Sequence, residues 1–89
     1  MIQMMALSKY PKIDVHGETT DTVVFVVNDF INDCYKMKEE YVVIIHGKGT
    51  GILRKKIHEI LKNNKLVEFY ELDVMNLGQT IIKLNKRKC

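Results

Sequence analysis

The stretch Tyr41-Val42-Val43-Ile44-Ile45-His46-Gly47-Lys48-Gly49-Thr50-Gly51 decides how this chain folds. Its first five residues are an unbroken apolar run, which reads as a strand covered on at least part of both faces. Three glycines then stand at alternate positions, where the backbone can turn sharply and take φ > 0 without a Cβ penalty. A helical pattern starts near Ile52 or Leu53. A loop from a strand's carboxyl end to a helix's amino end presents free backbone N–H groups and the positive end of a helix dipole. Lys48 adds a full charge beside them, so the expectation is a phosphate-facing anion site. Gly47-Lys48-Gly49-Thr50-Gly51 has neither the G-x-x-x-x-G-K-[ST] spacing of a P-loop nor the G-x-G-x-x-G of a dinucleotide fold.

Upstream, Val23, Val24, Val27, Phe30, Ile31 and Cys34 recur at three- and four-residue spacing and predict a helix to about Lys36. Thr19 or Thr20 supplies its N-cap, and Asp21 falls in its first turn. Valine is a poor helix former, so packing must outweigh propensity here. Before that helix, Lys12-Ile13-Asp14-Val15-His16-Gly17 alternates as a short strand ending at Gly17, with Asp14 and His16 on one face. Downstream, Leu53, Ile57, Ile60 and Leu61 form the buried stripe of a second helix ended by Asn63-Asn64. Arg54, Lys55, Lys56 and Lys62 lie off that stripe, and His58 reads as a surface histidine. Val67, Phe69 and Leu72 line one face of a third strand, and residues 79–84 make a fourth.

The order is therefore β-α-β-α-β-β. A right-handed helical crossover makes the first two strands parallel, and a short loop makes the last two antiparallel. The expected fold is a two-layer α/β sandwich, a four-stranded mixed sheet with both helices on one face. Residues 12–84 form the domain. Residues 1–11 are an arm packed in part through Met4, Met5 and Leu7, and residues 85–89 are a basic tail.

The totals bound the rest. Eighty-nine residues allow one domain and one core. No apolar run approaches the roughly 18 residues of a spanning helix, and the N-terminal apolar residues lack the basic n-region of a signal peptide. The expected location is cytoplasmic, without membrane contact. Cys34 lies in a helical pattern and Cys89 in the tail, so no disulfide is expected, and two cysteines exclude a four-cysteine zinc site. The net charge of +3 is unevenly spread: residues 1–45 carry four Lys and seven acids, a net −3, whereas residues 46–89 carry ten Lys or Arg and four acids, a net +6. A basic half beginning at the glycine loop fits a polyanionic partner, or a solvated surface that keeps the protein soluble.

Parallel strands place their carboxyl ends on one edge, where open α/β sheets bind ligands. If the first two strands are neighbours, Asp14, His16, His46 and Lys48 converge near the start of the second helix. One imidazole could deprotonate an attacking hydroxyl while a second group protonates the leaving oxygen. Asp14 could orient His16, and the loop amides with Lys48 could offset charge developing on a phosphate. The same Asp-x-His can equally close the turn after a strand. Asp14, His16 and His46 also make a two-His-one-carboxylate set of the kind that binds metals.

Ile13-Asp14-Val15-His16-Gly17 resembles the L-D-[LV]-H-G motif of the Smr (small MutS-related) domain, with Ile13 at the leucine position. His46-Gly47-Lys48-Gly49-Thr50-Gly51 is similar to that family's H-G-x-G-x-G motif at every fixed position, and Leu53-Arg54 follows as in many members. The resemblance covers about residues 12–84. It implies a fold like the C-terminal domain of a bacterial translation initiation factor, nucleic-acid binding and, in several members, endonuclease activity that nicks DNA or cleaves RNA. Asp14 and His16 would be the catalytic pair. His46, Lys48, Gly47, Gly49 and Gly51 would form the substrate-side motif, with Gly17, Thr50 and Arg54 on the same surface. Of the G-G-x-G-x-T that many members carry before the last strand, this chain retains Gly78 and Thr80.

The leading expectation is a stand-alone Smr protein, an endonuclease in which Asp14, His16 and His46 serve catalysis. Its cofactor is unassigned, with Mg2+ the candidate. The alternative is a non-catalytic module that binds RNA or ribosome-associated targets through the same loop, and a third reading is an interaction domain with solvated basic residues. The expected partner is a nucleic acid, DNA or RNA.

Overall fold

The computed structural model describes residues 10–86. The N-terminal residues with Met4, Met5 and Leu7, and the end of the tail with Cys89, lie outside the described residues. The chain order is β1 (Lys12–Asp14), α1 (Thr20–Lys36), β2 (Tyr41–Ile45), α2 (Ile52–Lys62), β3 (Val67–Leu72) and β4 (Gln79–Leu84). The sheet order is β1-β2-β4-β3. β1 runs parallel to β2, with Ile13 opposite Ile44, and β4 is antiparallel to both β2 and β3. The mixed sheet and parallel crossover are those expected from the hydrophobic pattern.

One sheet face carries both helices. Val42, Ile44, Ile82 and Leu84 meet Val23, Val27, Ile31 and Cys34 of α1 and Ile57 and Leu61 of α2 in one buried cluster. Apolar surface removed from water is worth roughly 25 cal/mol per Å², which lets a valine-rich α1 hold despite its weak propensity. Thr19 caps that helix through a capping box: its Oγ1 accepts from Thr22 N–H at 3.1 Å, and its own N–H donates to Thr22 Oγ1 at 3.1 Å. Burial, with lesser repulsion from Glu39 and Asp33, pushes the Cys34 thiol up to about 11, so it stays a protonated core group. The opposite sheet face buries Val43 and Ile81 among Tyr10, Tyr41 and Ile45, so β2 is covered on both sides.

Two local expectations are corrected. β1 stops at Asp14 rather than running to Gly17. Val15 N–H still donates to Ile45 O at 2.8 Å, but the Asp14 carboxylate then accepts His16 N–H at 3.1 Å. That side-chain turn diverts the chain from the ladder. In β3 the register slips between Val67 and Phe69. The bulge inverts the alternation beyond it, so Phe69 is exposed while Tyr70 packs on the helix-side core with Val67.

Candidate active site

The carboxyl ends of β1 and β2 lead into two loops that touch. A Cβ added at Gly47 would lie 3.3 Å from His16 Cβ. Gly47 and Gly51 take φ of +83° and +84°, left-handed values that favour glycine; Gly49 is not in that region. Between the loops and the amino ends of α1 and α2 lies a cleft of about 330 Å³. His16 and Glu18 to Thr20 form one wall, and Gly47 with Gly49 to Arg54 form the other. Two helix N-termini thus open on one cavity. The Arg54 side chain folds back on the loop, where a Cβ at Gly51 would meet its Nη2 at 2.9 Å. These groups attract an anion. The Glu18 carboxylate on the facing wall is engaged, accepting Thr22 Oγ1–H at 2.9 Å.

His16 and Asp14 form a close pair, Nδ1 to Oδ1 at 2.5 Å, open to solvent. The hydrogen bond from the His16 side chain is the main reason the Asp14 carboxyl is held below its usual range; the His16 backbone N–H adds to it. An ionised carboxylate can only accept, so Nδ1 of His16 carries the proton. With Nδ1 committed to Asp14, Nε2 is the ring nitrogen left to exchange a proton, and His16 borders the cleft. A carboxylate orienting an imidazole in this way is the arrangement by which a histidine is readied for proton transfer.

His46 is placed differently. It reaches the same edge and contributes to the cleft wall, but it is only 4% exposed. Its Nδ1 lies 2.9 Å from Gly47 O and its Nε2 2.8 Å from Thr80 Oγ1. The other side of Thr80 Oγ1 is met by His58 Nε2 at 2.7 Å. Because the Gly47 carbonyl can only accept, one directed chain satisfies every group. His58 Nε2–H donates to Thr80 Oγ1, the Thr80 hydroxyl donates to His46 Nε2, and His46 Nδ1–H donates to Gly47 O. This requires the His46 ring to be neutral, since its Nε2 accepts, while the His58 ring has only to donate. Burial is the main cause holding both below 6.5; His58 is lowered further by His46, and Arg54 contributes to both.

His58 is therefore not the surface residue expected. It is half-buried, with its ring 5.0 Å from that of Tyr70 and edge-on to that of His46 at 6.2 Å. Thr80, 0% exposed, and Gly78 are the other residues that the charge and motif arguments left without a role. The Gly78 carbonyl accepts both His46 N–H and Gly47 N–H at 2.9 Å, which pins the glycine loop to the start of β4. The signal for His58 was available, since it stands four residues after Arg54 and three before Leu61, beside the buried stripe.

Of the remaining expected residues, Gly47, Gly49, Thr50, Gly51 and Arg54 line the cleft, while Asp14 stands behind His16. Lys48 is exposed beside the cleft without lining it, and Gly17 is exposed with open space around it. The two-His-one-carboxylate set does not assemble, because both His46 nitrogens are engaged elsewhere. Among the described residues no group of three or more His, Cys, Asp or Glu is arranged to hold a metal ion. Among them, too, no helix is long and apolar enough to cross a membrane.

The chain is 38% identical over 89 residues to the protein named Endonuclease MutS2 of Caldanaerobacter subterraneus subsp. tengcongensis, covering 97% of this chain and 11% of that one. It is 40% identical over 76 residues to the Endonuclease MutS2 of Finegoldia magna, covering 82% and 10%. The chain thus spans about a tenth of the length of these relatives. Its structure resembles that of the Smr domain of Thermus thermophilus MutS2, with a TM-score of 0.82 at 27% identity, covering 84% of this chain and 98% of that one. YdaL, a stand-alone small MutS-related protein from Escherichia coli, shares the fold with a TM-score of 0.81 at 21% identity, covering 97% and 79%. The Smr domain family model matches residues 13–84, and the chain belongs to that family.

Proposed function

We propose that this domain binds a polynucleotide phosphate in the cleft and cleaves a phosphodiester beside it, with His16 as the proton-transfer group and Asp14 as the residue that orients it. The observation that carries the reading is the Asp14–His16 pair, 2.5 Å apart and solvent-exposed, at the rim of a cleft built from two helix N-termini and Arg54. His16 Nε2 takes a proton from the attacking hydroxyl or water as the new P–O bond forms. The P–O bond to the leaving oxygen breaks, and that oxygen takes a proton from the resulting imidazolium or from water. The loop amides and Arg54 offset the charge gathering on the phosphoryl oxygens. His46 acts through the loop: its chain to Thr80 and His58 holds Gly47 in place. The relatives named Endonuclease MutS2 support the reaction class.

The test is incubation with supercoiled plasmid and with labelled single-stranded RNA, each with Mg2+ and with EDTA. Nicking or cutting that His16→Ala abolishes is the expected result. Full cleavage by both His16→Ala and Asp14→Asn would overturn the assignment. A second reading is a non-catalytic binding module, and one observation favours it: with His46 locked in its hydrogen-bond chain, the cleft offers one imidazole where acid–base cleavage commonly uses two groups. Salt-sensitive binding with no cleavage under any condition would select that reading.

A further inference from the structure

The turn between β3 and β4 is the part of the site's edge that the reaction above leaves unused. At its tip Val74, Met75 and Leu77 are 60%, 74% and 50% exposed. Single exposed apolar residues are ordinary on protein surfaces, but these three are clustered on a turn that is firmly fixed. Asp73 is 2% exposed; its Oδ1 accepts Met75 N–H at 2.9 Å and its Oδ2 accepts Gln79 Nε2–H at 2.8 Å. Asn76 Oδ1 accepts Gly78 N–H at 3.0 Å. Backbone bonds from Asn76 N–H to Asp73 O and from Gln79 N–H to Asn76 O, both 3.2 Å, close the turn. A buried carboxylate thus holds three apolar side chains out in water.

The base of this turn is also the support of the glycine loop, through the two hydrogen bonds that Gly78 accepts from His46 and Gly47. A Cβ on Gly78 would lie 3.5 Å from Gly47 Cα, so the two loops are in contact. Given the sheet order, His16, the glycine loop and the apolar tip follow one another along a single edge. An occupant spanning that edge must offer an anion at one end and an apolar face close by. A polynucleotide offers both at each nucleotide, provided that its bases are not stacked away in a regular duplex.

We propose that Met75 and Leu77, with Val74 beside them, contact unstacked nucleobases of the strand whose phosphate occupies the cleft, giving the domain a preference for unpaired or distorted nucleic acid. This inference rests on the nucleic-acid reading above. Met and Leu are among the side chains that wedge between base steps, and their rigid mounting lowers the ordering cost of contact.

The experiment compares wild type with Met75→Ser/Leu77→Ser in binding a fully paired labelled duplex and the same duplex carrying a run of unpaired bases. The wild type should favour the unpaired ligand, and the double variant should lose about tenfold on it while staying within about twofold on the paired one. Met75→Leu should keep the preference, and an unchanged melting temperature should show that the fold is intact. Equal losses on both ligands, or no loss on either, would overturn the inference while leaving the nucleic-acid reading standing. Absence of salt-sensitive binding by the wild type to either ligand would overturn both.

Discussion

His16-Gly17 and His46-Gly47 are the same dipeptide at the ends of neighbouring parallel strands, each just before a helix. Their surroundings are opposite. His16 stands in solvent against a carboxylate, whereas His46 is buried against a threonine hydroxyl and its neighbour's carbonyl. The first ring has one nitrogen oriented and the other available; the second has both committed. The glycines differ as well, since Gly47 is left-handed and pressed on His16, while Gly17 has open space around it. Position on the sheet edge brings a residue to the site, but what surrounds it decides whether it can exchange a proton there.

The largest effect should come from the exposed half. His16→Ala is expected to lower the single-turnover cleavage rate by about 10²–10⁴, the usual contribution of a general acid–base group, with polynucleotide affinity nearly unchanged. Equal loss of affinity and rate would make His16 a binding residue. In the buried half, Thr80→Val leaves both histidine nitrogens without their shared partner and should cost about 1–3 kcal/mol in urea unfolding. Thr80→Ser, which keeps the hydroxyl, should cost less, and equal losses would show that the methyl group matters more than the hydrogen-bond chain.

That chain was the least legible part of the site in sequence. Its members, His46, His58 and Thr80, come from β2's end, α2 and β4, and no local periodicity links them. The order of elements and the pairing of β1 with β2 were legible because Val42 to Ile45 and the Leu53-Ile57-Leu61 spacing each report their own local geometry. The phase of β3 was not, because one bulge after Val67 reverses which residues face the core. Strand parity put Asp14 and His16 on one side, but their contact is made by the side-chain turn that ends β1, which depends on Asp14 taking the His16 backbone as a partner and was not legible.

The glycines give a sharper version of the same comparison. Gly47→Ala must fit a side chain to φ +83° against His16 Cβ, and should destabilise by about 1–2 kcal/mol. Gly17→Ala should stay within about 0.5 kcal/mol. Similar costs at both positions would mean that the two loops are under the same constraint. The smallest effect is gradual. Because burial holds His46 and His58 below 6.5 in the fold, the unfolded chain takes up protons first as pH falls. Stability should be level above about pH 7 and decline from there down through the native-state values. Asp14, held below 3.8, contributes only at lower pH, where its stabilisation is likewise lost as pH falls. His58→Gln should make the decline near pH 6 shallower, as read from melting temperature against pH.

The last strand among the described residues, β4, is also an inner strand of the sheet, seated between β2 and β3. During synthesis, every residue that lines the cleft is made by residue 54, yet the two anchors of the glycine loop, Gly78 and Thr80, emerge well after it. A nascent or clipped chain lacking β4 would leave β2 and β3 without their shared neighbour and His46 without its partner. The site therefore matures only when the topology closes. Its dependence on contacts so distant in sequence favours slow folding, and it ties competence at the edge to completion of the whole sheet.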